Sequence, residues 1–205
     1  MKRLSYLLGL SLLFPARTAR PETPNAPATL TAVFAGGCFW GVDAVFKHVR
    51  GVVRVVSGYA GGRAATALYP VVSTGLTGHA ESVEVTYDST RVSYRQLLDV
   101  FFSVAHDPTQ LNRQGPDEGP QYRSAIFYLN DGQRREAQAY IAQLTHGHVY
   151  PAPIVTQVVA LNRFYPAEAY HQGYLAQHMS QPYIVYNDLP KLRSLEQRFP
   201  ALYQP

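Results

Sequence analysis

The sequence predicts an α+β fold, a two-layer α/β sandwich with helices packed on a mainly antiparallel or mixed sheet. Three observations carry this. Segments with strand and helix periodicity follow one another in the order β-α-β-β-α-β. One of them, Ala80 to Tyr87, alternates, with Val83, Val85 and Tyr87 on one face and Ser82, Glu84 and Thr86 on the other. The chain has 205 residues, 46% apolar and 16% charged, so it can bury one real core and is not a disordered polyelectrolyte.

The elements follow in order. Leu30 to Ala35 is a short apolar run ending at Gly36-Gly37, a strand and its turn. Phe39, Val42, Val45, Phe46 and Val49 recur at helical spacing, and Gly51 closes that helix. Val52 to Val56 is β-branched and reads as a strand, followed by a Gly-rich loop from Ser57 to Gly78 and then the alternating strand. Ser93 with Gln96 makes a capping box for a helix carrying Leu97, Leu98, Phe101 and Phe102. A polar loop runs from His106 to Pro120. Tyr122 to Leu129 is again a strand, turned by Asp131-Gly132. This order is the ferredoxin-like split βαβ plait. A helix (Arg134 to Leu144), a strand (Ile154 to Leu161) and a helix opened by Pro166 form a C-terminal extension.

Lys and Arg outnumber Asp and Glu by 18 to 14. Lys2, Arg3, Arg17 and Arg20, against Glu22 alone, precede Thr29, so the remainder carries only +1. The basic balance belongs to the leader, and no nucleic acid is expected as a partner. Lys2-Arg3 followed by the apolar run Leu4 to Phe14 reads as a signal peptide, too short to span a bilayer comfortably. Pro15 to Ala28 has a linker composition, and Ala26-Pro27-Ala28 fits a small-x-small cleavage pattern. An uncleaved membrane tether is the alternative. Either way residues 29–205 are expected outside the cytoplasm, in the periplasm or another extracytoplasmic space, as a monomer. The single cysteine excludes an intramolecular disulfide, a Cys-rich zinc site and a cluster site.

The chemistry concentrates around that cysteine. Cys38 follows a strand and a Gly-Gly turn and opens a helix, where unpaired N–H groups and the helix dipole favour thiolate. A buried structural cysteine is the competing reading of the same position. Glu81 shares a face with Val83, Val85 and Tyr87. A carboxyl there is desolvated and protonated near neutrality, as a general acid must be, unless Gly78-His79 bends it out to solvent. Tyr59, framed by glycines, presents a phenol, and Tyr122 follows the polar loop that holds Asp117. With 15 Tyr in the chain neither stands out alone. Phe39 and Trp40 offer an apolar wall beside Cys38. His79, His106 and His171 are candidate bases. His146-Gly147-His148 lacks a third ligand nearby, so no metal is expected.

These residues sit in a longer pattern. Gly37-Cys38-Phe39-Trp40-Gly41 resembles the signature of the type A peptide methionine sulfoxide reductases, an enzyme class that reduces oxidised methionine. The resemblance continues through Gly58-Tyr59-Ala60-Gly61-Gly62, Thr77-Gly78-His79-Ala80-Glu81 and His106-Asp107-Pro108-Thr109. It runs on through Asn112-Arg113-Gln114-Gly115, Asp117, Gln121-Tyr122-Arg123-Ser124, Phe164-Tyr165-Pro166-Ala167-Glu168 and Tyr170-His171-Gln172. It implies that residues 29–205 are the catalytic domain and that Cys38 is the nucleophile. Glu81 would be the acid, Tyr59 and Tyr122 the phenols on the sulfoxide oxygen, and Asp117 a supporting carboxylate. Phe39 and Trp40 would be the pocket for the substrate methyl. It also implies the S epimer, oxidised proteins and free methionine sulfoxide as substrates, and no bound cofactor. Many members carry resolving cysteines in a Gly-rich tail, whereas Asn187 to Pro205 has none. The expected reductant is therefore an external thiol: thioredoxin-like, glutathione-type, or dithiothreitol in the test tube. A cysteine peroxidase would need an Arg and a hydroxyl before the cysteine, where this chain has Phe34-Ala35-Gly36-Gly37. A cysteine hydrolase would need a histidine base.

Overall fold

A computed structural model describes residues 29–205; the expected signal peptide and linker, 1–28, lie outside the described residues. The strands are β1 (Thr29–Gly36), β2 (Val52–Ala60), β3 (Ala80–Asp88), the two-residue pair β4 (Arg113–Gln114) and β5 (Asp117–Glu118), β6 (Ser124–Tyr128), β7 (Gln157–Ala160) and β8 (Phe164–Pro166). The helices are α1 (Phe39–Lys47), α2 (Tyr69–Val72), α3 (Tyr94–Val100), α4 (Asp131–His146), α5 (Tyr174–Gln177) and α6 (Leu189–Arg198). Six strands form one sheet in the order β7-β6-β1-β3-β2-β8. All neighbours are antiparallel except β6 and β7, so the sheet is mixed and the class is α+β.

Pleating divides the apolar residues between two faces. Phe34, Val83, Val85 and Ile126 point to the larger core, which is completed by Phe39, Val42, Val45 and Phe46 of α1, Leu97 and Leu98 of α3, and Ala137 and Tyr140 of α4. Val33, Ala35, Ala60, Ala80, Ala125 and Phe127 form a thinner layer on the other face. Phe34 is the keystone. Its ring stacks on Phe46 at 5.1 Å and Phe101 at 4.9 Å, tying the central strand to α1 and to the wide helical turn Phe101–Ala105 that prolongs α3. The capping box holds: Ser93 Oγ accepts from the Gln96 N–H while Gln96 Oε1 accepts from the Ser93 N–H.

Several boundaries differ from the sequence expectation. β2 runs on to Ala60, because β8 on one side and β3 on the other give the Gly58–Ala60 backbone partners that a loop would lack. Tyr122 closes a short 3₁₀ turn, Pro120–Tyr122, rather than opening the strand. Asp131-Gly132 is the first turn of α4, since Asn130 Oδ1 accepts the Gln133 N–H and caps the helix one residue earlier. The strand expected from Ile154 to Leu161 is only β7. Pro166 opens no helix: it ends the edge strand β8, where a missing N–H is tolerated. The polar loop contains the β4–β5 pair.

Phe34→Ala is expected to cost about 3–5 kcal/mol, the range for emptying an aromatic core site. Denaturant unfolding should show a lower midpoint with an unchanged slope.

Candidate active site

β1 ends at Gly36, and the chain enters α1 with Cys38 in the N-cap position. Gly37 has φ +93°, and a Cβ there would lie 2.5 Å from the Gln114 side chain, so only glycine allows this crossing. Gln114 is itself clamped: it accepts from the Asp107 N–H at 3.1 Å and donates to the Asp107 carbonyl at 3.0 Å. Cys38 is 8% exposed.

Burial and charge, not the helix start, set the state of its sulfur. Desolvation pushes the thiol pKa well up, and the carboxylates of Glu81, Asp188 and Asp117 add to the rise. The Trp40 backbone N–H works the other way without closing a side-chain cap bond. The expectation of a helix-activated resting thiolate is thus corrected: Cys38 rests as a thiol.

Glu81, 2% exposed, projects from β3 so that Oε2 accepts the Phe39 N–H at 3.0 Å. Its carboxyl is thereby held at the backbone of the residue that follows Cys38. Burial drives its pKa up to about 8, with Asp117 adding and the Phe39 N–H opposing. The strand does not bend it out to solvent.

Asp117, on β5, accepts the hydroxyl hydrogen of Tyr183. Burial raises its pKa, while Tyr183 and Lys191 pull it down. Tyr122 is partly buried; its phenol is pushed up by burial and then by Glu81, Tyr69 and Asp117, so it faces this acidic group. Phe39 is buried against Tyr59 and His171, with ring centroids 5.9 and 4.9 Å away. Trp40 stacks on Tyr174 at 3.7 Å and donates its indole N–H to His171 Nδ1 at 3.1 Å. That bond makes Nδ1 an acceptor, and burial lowers the His171 pKa, so the ring is neutral and fixes the indole.

Tyr59 is placed differently from expectation. It lies inside β2, opposite Glu81 in the register, fully buried, and its hydroxyl donates to Glu168 Oε2 at 2.8 Å. The phenol's hydrogen is therefore committed to Glu168. A second tyrosine faces Cys38 instead: Tyr69, whose phenol pKa rises to about 12 through burial, Glu81 and then Cys38. Its backbone N–H is held by Glu168 Oε1 at 2.8 Å. Sequence reasoning missed Tyr69, Tyr183 and Asp188. The one available signal was Tyr69-Pro70, a helix start inside what reads as a featureless Gly-rich loop. His79 bonds the Arg63 carbonyl and His106 bonds the Phe101 carbonyl and Ser124, so neither pairs with Cys38.

A buried cysteine beside a protonated carboxyl, ringed by phenols and walled by Phe39 and Trp40, suits acid-assisted attack on a small polar group carrying a methyl. Residues 30–202 match the family model of peptide methionine sulfoxide reductase. The chain belongs to that family. It is 62% identical over 178 residues to peptide methionine sulfoxide reductase MsrA 2 of Mesorhizobium japonicum, covering 87% of this chain and 91% of the relative. It is 50% identical to MsrA of Chromobacterium violaceum, covering 84% and 98%. Among solved structures it is similar to reduced Mxr1 of Saccharomyces cerevisiae (31% identity, TM-score 0.69, 78% of this chain and 92% of that one). Methionine sulfoxide reductase A of Corynebacterium diphtheriae is also similar (36%, TM-score 0.65, 75% and 77%).

The raised Glu81 pKa has two consequences. Reductase kcat/KM should fall as pH rises through about 8, where the acid loses its proton. For stability, the folded pKa exceeds the unfolded one, so the proton's contribution is complete below about 4.5 and lost as pH climbs to about 8. Compared with Glu81→Gln, the native protein should lose stability across that window by on the order of a few kcal/mol, read by denaturant titration at fixed pH values.

Proposed function

We propose that this chain reduces methionine-S-sulfoxide, free or in proteins, to methionine, leaving Cys38 as a sulfenic acid, and so repairs oxidised proteins. The observation that carries the mechanism is the Glu81 carboxyl, buried, bonded to the Phe39 N–H and protonated below pH about 8.

A sulfoxide sulfur is a poor electrophile until its oxygen is protonated. With the substrate methyl against Phe39 and Trp40, the oxygen faces Glu81 and takes its proton, while Tyr69 and Tyr122 donate hydrogen bonds to it. The Cys38 sulfur attacks the sulfoxide sulfur, and its own proton passes to the carboxylate that Glu81 has just become. The hydroxyl then transfers to Cys38 as the bond to the substrate sulfur breaks. Methionine leaves, reduced by two electrons, and Cys38 becomes Cys–SOH. Burial keeps Glu81 protonated, and Asp117, bonded to Tyr183, adds to that effect.

Cys38 is the one cysteine of the sequence. An external thiol therefore condenses with the sulfenic acid, releasing water, and a second thiol frees Cys38 by disulfide exchange. A thioredoxin-like protein or a glutathione-type thiol fits this role. The leader Lys2-Arg3 and Leu4 to Phe14 supports export to the periplasm or another extracytoplasmic space, with residues 29–205 as one catalytic domain. The order β6-β1-β3-β2, antiparallel throughout with α1 and α3 on one face, supports reading the core as a split βαβ plait.

Of the two separated epimers of methionine sulfoxide, only the S form should be consumed with dithiothreitol; equal consumption of both, or of neither, contradicts the reading. Glu81→Gln should slow single-turnover reduction by roughly 10²-fold or more, with a smaller change in substrate binding. One methionine per enzyme should form without reductant, and mass spectrometry should then find Cys38 as a sulfenic acid rather than in a Cys38–Cys38 disulfide between two chains.

A further inference from the structure

The C-terminal segment carries a charged pair that the proposed reaction does not use. Asp188 ends the wide turn Ile184–Asp188 and leads into α6. It is 0% exposed. Its Oδ1 lies 3.1 Å from Lys191 Nζ, while Oδ2 is buried with no hydrogen-bond partner. Burying an ion pair with one oxygen unsatisfied is at best neutral for stability.

The pair lies against the start of α1. A Cβ on Gly41 would stand 2.1 Å from Asp188 Oδ1 and 2.7 Å from Lys191 Nζ, so the charges fill the notch that this glycine leaves. Gly41 is three residues beyond Cys38, one helical turn along the same side. Ala44, Leu175 and Ile184, with Trp40, Tyr183 and Leu189 packed on them, form an apolar cluster between α1 and the C-terminal segment.

We propose that the Asp188–Lys191 pair positions the proton on Cys38: the buried carboxylate, held ionised by Lys191, keeps the sulfur a thiol between turnovers and shields it from adventitious oxidation. An anion one turn away in a dry environment opposes the thiolate, against the pull of the helix start. Asp188 follows burial and Glu81 among the influences that raise the Cys38 pKa. Burial raises the Asp188 pKa and Lys191 draws it part of the way back, so Lys191 acts through Asp188. The other titratable groups facing the sulfur are Glu81 from β3, Asp117 from β5, Tyr69 from α2, Tyr122 before β6 and Tyr183 in the C-terminal segment. The phenols stay neutral, and Glu81 is mostly protonated below pH about 8; burial raises Asp188 and Asp117 as well, and Lys191 draws both back down.

The inference rests on Cys38 being the nucleophile, but its test needs no turnover. In the reduced protein, the rate of iodoacetamide alkylation against pH gives the Cys38 pKa for the native chain, Asp188→Asn, Lys191→Met and the double variant. Asp188→Asn and the double variant should lower it. A drop of one unit raises the thiolate fraction about tenfold, and the accompanying loss of nucleophilicity leaves alkylation about threefold faster at fixed pH below the pKa. Lys191→Met, which keeps the carboxyl, should not lower it as far as Asp188→Asn does. If Asp188→Asn alone fails to fold, the double variant, which leaves no lone buried charge, still reads the effect. An unchanged or raised Cys38 pKa in Asp188→Asn or the double variant overturns the proposal. Loss of reductase activity with a lowered Cys38 pKa leaves it standing.

Discussion

The hydrogen bond from the Phe39 N–H to Glu81 Oε2 joins the sheet to the first turn of α1, and the rest of the site depends on it. It holds a carboxyl beside a sulfur without leaving the oxygen unpaired in the interior. The strand pairing sets where that carboxyl stands, because β3 pairs with β2 from Ala80 to Tyr87, with Tyr59 opposite Glu81, and with β1 from Val83 to Asp88. The helix sits where Phe34, Phe46 and Phe101 stack. A shift of α1 along the sheet would break the bond and expose both groups to water.

Water exclusion then does the electrostatic work. Burial is the largest influence on Cys38, Glu81 and Asp117 alike, and in each case it favours the neutral form. In the proposed reaction the acid is therefore ready at neutral pH, while the nucleophile waits as a thiol. The two roles we propose are complementary: the proton that Glu81 would give to a substrate oxygen leaves behind the base that Cys38 needs. The C-terminal segment completes the enclosure, with Tyr183 on Asp117, Tyr174 on Trp40 and Asp188 at Gly41.

Much of this was legible in the residues. The alternation from Ala80 to Tyr87 placed Glu81 on the core face, and the Ser93-Gln96 box located α3. The Gly-Gly turn placed Cys38 at a helix start. Local signals failed where long-range contacts decide. Helix-start chemistry argued for a thiolate, but desolvation by residues far along the chain outweighs it. Tyr59 looked accessible because its neighbours are glycines, yet Tyr59 itself lies in a paired strand and Glu168, 109 residues away, takes its hydroxyl. Tyr69 gave only the Pro70 beside it as a hint. Nothing local marks Asp188 and Lys191, because only the folded chain shows that Gly41 leaves a notch for them.

The most direct test is the protonation of Glu81 itself. Infrared difference spectra of the native protein against Glu81→Gln should show the carbonyl stretch of a protonated carboxylic acid at pH 7. It should fade as pH passes about 8. A carboxylate already ionised at pH 7, titrating in the ordinary range of an exposed glutamate, would contradict the account.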